Sequence, residues 1–476
     1  MVCFPKTIRL SIINTLYSPQ PRRTRFHGLA YFHFARRYFG CFLQSFYGLA
    51  DLFITGQFNG AAAISAVSIG SQVTHMLTFV IVGLSMGTTV LIGRAIGSGD
   101  KKLIRKGISN TVILFTAFSV FATAILLVSL DGIIALLSTP EESIRQAKDY
   151  LLICFLGTPF IVAYNVTSSI FRGLGDSKSP MYYITVAGII NIVLDIILIG
   201  PFGMGAAGAA LATVISQIVS VVLSLLALCR RDWGISFSRR DFVPDKDTLL
   251  SILKVGIPIS LQDGLIQIAF LLITAIANQR GVIASASVGI VEKVISFIFL
   301  VPSAMMSSVS AIASQNAGAG KHESSKTILY YGLGVCVTFG ILVTAACQFW
   351  AEPILGLFAK GETEVVFMGS QYIKTYVLDC IFSGIHFCFN GYFCAYGKSY
   401  YSFVPNVISV FLLRVPGAYL ATVLFPDTLA PMGLASPMGS LFAAVVCAII
   451  FYRHRNQYTS ASMQPMPKLK LSRQTS

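Results

Sequence analysis

Runs of eighteen or more apolar residues recur from one end of this chain to the other, and they constrain the fold more than any motif does. A bilayer core ~30 Å thick takes about 20 apolar residues to cross as an α-helix. Backbone polar groups in lipid must be satisfied within the segment, so spans of this kind are helical. The balance of residues agrees. Of 476 residues, 55% are hydrophobic and 12% charged, against a charged share of ~25% in globular domains. A soluble enzyme, a disordered chain and a fibrous protein are excluded.

The hydrophobic pattern predicts an all-α integral membrane protein of twelve spans, at 38–58, 62–92, 108–130, 147–171, 180–199, 205–229, 249–278, 284–312, 327–350, 365–394, 402–424 and 433–452. Several exceed the crossing length, so those helices tilt, bend or project beyond the bilayer. The net charge of +15 comes from 35 Lys+Arg against 20 Asp+Glu. In a soluble chain that excess would suggest nucleic acid. Here 27 of the 35 basic residues fall on one face of the predicted topology and four on the other. Positive charge marks the cytoplasmic side, so both termini are expected in the cytoplasm of a plasma (inner) membrane protein. The excess then serves orientation and contact with anionic lipid; no nucleic-acid partner is implied, and a monomer in the bilayer is expected.

Residues 1–37 read as a basic cytoplasmic tail, with Arg22, Arg23, Arg25, Arg36 and Arg37 and no acid. They lack the apolar core and small-residue cleavage site of a signal peptide. The ten cysteines lie mostly inside apolar spans, and no CxxC pair occurs. Neither a zinc site nor a disulfide framework is indicated.

The chain repeats itself. Gly93-Arg-Ala-Ile-Gly-Ser-Gly-Asp100 returns as Ser314-Gln-Asn-Ala-Gly-Ala-Gly-Lys321, and Phe171-Arg-Gly-Leu-Gly-Asp-Ser177 as Phe393-Cys-Ala-Tyr-Gly-Lys-Ser399. Gly97 and Gly318 stand 221 residues apart, as do Gly60 and Gly281; Gly175 and Gly397 stand 222 apart. Two halves of six spans follow, an N-lobe at 38–229 and a C-lobe at 249–452. They are joined by a basic cytoplasmic loop at 230–248 and followed by a basic tail at 453–476. Six is even, so the halves run in parallel about an axis along the membrane normal, a common transporter plan. The Gly-Ala-Gly-Lys at 318–321 is no phosphate loop, because Gln315 holds its first glycine position and His322 its Ser/Thr position. These glycines are expected to end helices.

Acids at bilayer depth cost at least ~2.5–3.5 kcal/mol and mark function by default. Five qualify: Asp51, Asp195, Asp263, Glu292 and Asp379. Asp51 lies ~20 Å and Asp195 ~22 Å from the inner ends of their spans at 1.5 Å per residue, so both reach one depth within one half. Gln44, Tyr47 and Asp51 share a helix face, as do Asn191 and Asp195. Asn165, Thr213 and Gln217 add polar faces on neighbouring spans. Such a group can exchange protons or hold Na⁺ between carboxylate, amide and hydroxyl oxygens; packing of a neutral Asp against a neighbouring helix is the alternative. In the C-lobe, Lys293 follows Glu292 and Lys374 precedes Asp379, so these acids can be partly compensated, and Arg414 calls for an acidic partner.

These residues together resemble the MATE (multidrug and toxic compound extrusion) family over residues 40–455. The matching segments are Ala50-Asp51, the Gly93–Asp100 loop and its copy, Phe171–Lys178, Asn191 with Asp195, and Gly205–Thr213. The DinF-like branch fits better than the NorM-like one. The resemblance implies twelve helices in two lobes around a central cavity, and export of organic, often cationic, compounds in exchange for H⁺ or Na⁺. It implies a cation site at Asp51 and Asp195, with Asn191, Gln44, Tyr47, Asn165 and Thr213 as polar partners. Other branches use a glutamate in span 7; Ile266 falls near that position here, with Asp263 one turn away. No cofactor is expected beyond the coupling ion. A lipid-linked precursor flippase of the same superfamily calls for more intramembrane cations. A membrane-embedded enzyme calls for a nucleophile–base or metal constellation that the six scattered histidines do not supply.

Overall fold

The computed structural model describes residues 51, 53–55, 57–59, 61–137, 141–230, 241–357 and 362–454. No strand occurs among them. Residues 51, 53–55, 57 and 58 are helical and belong to the first span. The first lobe continues with α1 (Ala61–Ser98), α2 (Lys101–Val128), the short α3 (Leu130–Leu136), α4 (Glu141–Gly173), α5 (Lys178–Ile199) and α6 (Gly205–Arg230). The second lobe comprises α7 (Lys246–Asn278), α8 (Val282–Ile298), α9 (Leu300–Gly318), α10 (His322–Gly356), α11 (Thr363–Tyr376) and α12 (Asp379–Ala395). It closes with α13 (Tyr400–Ser409), a π-helical turn (Val410–Arg414), α14 (Val415–Leu424) and α15 (Ala430–His454). Eleven helical stretches among the described residues are long and apolar enough to cross a membrane. With the first span, the architecture is twelve transmembrane helices in two six-helix lobes.

Several spans extend past their predicted limits, and some are interrupted, the ninth by a kink at Trp350. The α-helical pattern of the eighth is interrupted at Phe299, between α8 and α9, and that of the tenth at 377–378, between α11 and α12. The eleventh carries the π turn, which inserts one residue into the helical ladder. Apolar periodicity continues through such breaks, so the sequence reads them as single spans.

The repeat motifs end helices in the same way in both halves. Asp100 N–H bonds to the Ala95 carbonyl at 3.1 Å, and Lys321 N–H to that of Asn316 at 2.8 Å. The preceding Gly99 and Gly320 take φ of 70° and 72°. Asp176 N–H likewise reaches Phe171 at 2.8 Å and Lys398 N–H reaches Phe393 at 2.9 Å, after Gly175 and Gly397. These six-to-one bonds satisfy carbonyls that a helix end would otherwise leave open. Asp100 then caps α2, accepting from Leu103 N–H at 2.9 Å.

The lobes meet along residues 80–98 of α1. A Cβ added at Gly97 would strike the Gln315 carbonyl oxygen, and one at Gly318 would strike that of Arg94. A second reciprocal approach sets Gly87 against Ile252 and Gly256 against Leu84. Ser260 Oγ donates to the Val80 carbonyl at 3.1 Å. All of these contacts lie toward the face that carries the loops after α1 and α9. Outward, large apolar side chains such as Phe121, Val128, Phe349 and Leu412 stand exposed, as lipid-facing surface requires.

Candidate functional site

α5 is apolar on nearly all sides, and its buried residues form one stripe, Pro180, Ile184, Ala187, Asn191, Asp195 and Ile199. Asn191 and Asp195 therefore point inward because the rest of the helix belongs to lipid. α6 lies close against α5 because its buried face is built from Ala206, Gly208, Ala209, Ala210 and Ala212, residues that let backbones approach. Further along that face come Thr213 and Gln217. The first span completes the site with Asp51, whose backbone carbonyl accepts from Thr55 Oγ1 at 2.7 Å.

Asp51 is 3% exposed and Asp195 0%, so no bulk water neutralises either. Thr213 Oγ1 donates to Asp51 Oδ2 at 3.2 Å. The Asp51 and Asp195 carboxyls lie within interaction range of each other, and Asn191 lies within range of Asp51. Yet Asp51 Oδ1, both Asp195 carboxylate oxygens and both polar atoms of the Asn191 amide have no hydrogen-bond partner among the described residues. None of the described ion pairs involves Asp51 or Asp195. Ile54 and Ile199, one turn along from Asp51 and Asp195, belong to one buried apolar cluster with Val67, Ala147 and Ala206. Burial of two neighbouring carboxylates makes their repulsion strong. A proton shared by the pair relieves it, and so does a hard cation, which takes oxygen ligands of the kind gathered here.

The structure thus brings Asp51, Asn191, Asp195 and Thr213 together. Gln217 follows one turn after Thr213 and is 5% exposed. Asn165 is buried on α4 but donates to its own helix, at the Ile161 carbonyl, 2.9 Å away. Gln44 and Tyr47 lie outside the described residues. Two residues the sequence reading passed over complete the wall. Tyr150 and Cys154, one turn apart on α4, lie within electrostatic reach of Asp51, and Gly70 on α1 leaves room for the Tyr150 ring. Their signal was weak: a Tyr and a Cys in an apolar run read as packing.

In the second lobe the acids are dispersed. Asp263 is half-buried on α7, with no hydrogen bond to its carboxylate among the described residues. Glu292 on α8 accepts from Thr274 Oγ1 on α7 at 3.1 and 3.0 Å, while Lys293 faces outward. Asp379 is compensated, though not by Lys374. Its Oδ2 lies 3.6 Å from Arg414 Nη2, and Ser383 donates to its Oδ1 at 3.0 Å. Ser383 and Ser440 hydroxyls meet at 2.8 Å, and Arg414 also donates to Ser440. Among the described residues, no group of three or more His, Cys, Asp or Glu is placed to hold a metal ion.

The MatE family model matches residues 38–197 and 258–420, one block in each lobe and in step with the internal repeat. The chain belongs to the MatE family. This membership makes it a transporter and not an enzyme. The MatE chain is 32% identical over 414 residues to the probable multidrug resistance protein YpnP of Bacillus subtilis (strain 168), covering 87% of this chain and 91% of that one. It is 28% identical over 417 residues to a protein of Shewanella oneidensis named FAD transporter, covering 86% and 90%. Its fold matches a crystal structure of MATE in complex with MaL6 at a TM-score of 0.84 and 23% identity, covering 92% of this chain and 97% of that one.

Proposed function

We propose that this MatE protein is a secondary antiporter that exports small organic compounds, cations foremost, in exchange for H⁺ or Na⁺. The names of its relatives support efflux as the activity. The observation that carries the coupling is the pair Asp51 and Asp195: two buried carboxyls at interaction range, with no counter-ion among the described residues. An ion shifts an equilibrium only by its differential affinity for the two states. Here the ion enters between Asp51 and Asp195 in one facing of the transporter and leaves in the other. Thr213 orients the Asp51 carboxyl, the Asn191 amide, unpaired among the described residues, is free to face the incoming ion, and the buried apolar cluster with Ile54, Val67 and Ile199 keeps the charge from being screened. The lobes rock about the seam along α1, with the face of the basic loops turned to the cytoplasm of the inner membrane and both termini on that side.

Proteoliposome efflux of a fluorescent organic cation, driven separately by a pH gradient and a Na⁺ gradient, tests this reading. The panel includes a flavin nucleotide, since one relative is named for that cargo. Asp51→Asn and Asp195→Asn are each expected to abolish driven efflux with protein levels unchanged. Full activity in both single variants would remove the site from the mechanism.

A further inference from the structure

A second set of polar contacts lies where the two repeat motifs meet, away from the acid pair. Arg94 on α1 donates its Nε proton to the Ala395 carbonyl oxygen at 2.7 Å, at the end of α12. Gln315 on α9 donates Nε2 to the Gly173 carbonyl oxygen at 3.0 Å, at the end of α4. The two bonds are images of each other. Gln315 stands 221 residues after Arg94, and Ala395 stands 222 after Gly173. Each side chain leaves its own lobe and bonds to the other.

The chemistry at both ends suits the task. Carbonyls in the last turn of a helix have no amide partner within it, and the negative end of the helix dipole favours a guanidinium. Backbone clearance is reciprocal too. A Cβ added at Gly397, φ 68°, would lie 3.3 Å from Arg94 Nη2, and one at Gly175, φ 87°, would lie 3.1 Å from Gln315 Nε2. Between the two bonds, Gly97 and Gly318 bring α1 and α9 into backbone contact. Arg94 therefore belongs to the lobe interface, inside α1, and not to the loop that follows.

We propose that Arg94 and Gln315 form a two-part latch that holds the lobes shut on the basic-loop face, and that its release opens that face during transport. The latch deepens the alternating-access reading above and rests on it. The two parts are unequal, because the Arg94 bond is charge-assisted and the Gln315 bond is neutral. The acceptors are backbone atoms, so only the donors can be removed by substitution. Both residues are positioning residues: they set the balance of open and closed without touching the coupling ion.

The test is a distance between the lobes. The full chain in lipid nanodiscs carries spin labels at Lys102→Cys on α2 and Glu323→Cys on α10, both exposed positions. Cys3, Cys41 and Cys229 are changed to Ser. Double electron–electron resonance on this background reads the separation at the basic-loop face. Arg94→Met with Gln315→Met is expected to raise the open-to-closed ratio about tenfold, the scale set by losing one charge-assisted hydrogen bond. Gln315→Met alone shifts it less, and Arg94→Lys, which keeps a charged donor, restores most of the closed population. An unchanged distribution in the double variant overturns the latch. Should the double variant not purify, an unchanged distribution in Gln315→Met does so. Absence of ion-driven efflux in the parent protein would instead remove the coupling reading and leave the distance response standing.

Discussion

Removing the Arg414 guanidinium should expose what it does for Asp379. Asp379 is completely buried, and the Arg414 side chain is 8% exposed, so solvent screens the pair little. Breaking a buried pair by deleting one partner leaves an uncompensated charge and costs about 3–5 kcal/mol. Arg414→Met keeps an unbranched apolar stem of similar reach, so the loss reports mainly on charge. Asp379→Asn in the same background removes the stranded carboxylate. A buried pair replaced as a whole is often nearly neutral, so the double variant is expected to recover most of the lost stability. The measurement is a double-mutant cycle of unfolding free energies in mixed micelles, titrated with sodium dodecyl sulfate. The single substitution should lower stability by about 3–5 kcal/mol and the cycle should yield a coupling of at least about 2 kcal/mol. A loss below about 1 kcal/mol in Arg414→Met, or purely additive effects in the cycle, would refute the idea that this cation exists to neutralise Asp379.

Gly318→Ala and Gly97→Ala each drive a methyl into a backbone carbonyl of the other lobe and should cost about 1–3 kcal/mol. Gly334→Ala on the exposed side of α10 meets nothing and should gain about 0.5–1 kcal/mol from helix propensity; the same micelle titration separates them. Asp245 caps α7 through Thr248 N–H at 3.2 Å and accepts from Lys106 at 3.3 Å, so Asp245→Ala should cost about 0.5–2 kcal/mol. Its partial burial works to raise its pKa, but the bonds from Thr248 and Lys106 outweigh that and hold it below the usual carboxylate range. The cap's contribution is therefore fully present above the unfolded-state value of ~3.9 and lost as pH falls below it. Stability curves of the parent and Asp245→Ala should accordingly converge in acid. With Cys3 and Cys41 changed to Ser, a maleimide should modify Cys229 alone among the other eight cysteines. Rapid labelling of Cys380 or Cys394, both fully buried, would contradict the packing of α12.

The spans were legible because lipid imposes one rule on every residue of a crossing helix, and the repeat was legible because both lobes end their helices with the same glycine chemistry. Asp195 and Asn191 could be placed by counting along α5, since a single buried stripe on an uninterrupted helix obeys simple periodicity. Partners across helices were harder. The mate of Asp379 is 35 residues away on a span whose register is altered by the π turn, and nothing local in the sequence announces that turn. Arg94 is legible in the sequence as part of the repeated Gly93–Asp100 motif and as a positive charge for topology, but not as a contact between lobes. Its bond to Ala395 depends on the tertiary meeting of two helix ends 301 residues apart. Backbone acceptors carry no sequence signature, and so the latch could not be read before the lobes were seen together.

The extra residue in the π turn has a consequence for how the duplicated halves came to differ. Buried positions of α5 find buried counterparts 222 residues on before the turn, as Pro180 with Ser402 and Ile184 with Asn406. By the end of the turn the interval has grown to 223, so Asn191 falls on Arg414, its last residue, and Asp195 on Ala418. The buried face of α6 reappears in α15 at a longer interval of 227, with Thr213 on Ser440. One shared plan thus holds different electrical contents: the later copy carries a counter-charge for its acid covalently, as Arg414 beside Asp379, where the earlier copy has an amide and an acid. Any positive charge that the first lobe receives at these acids, so far as the described residues go, must arrive from outside the polypeptide.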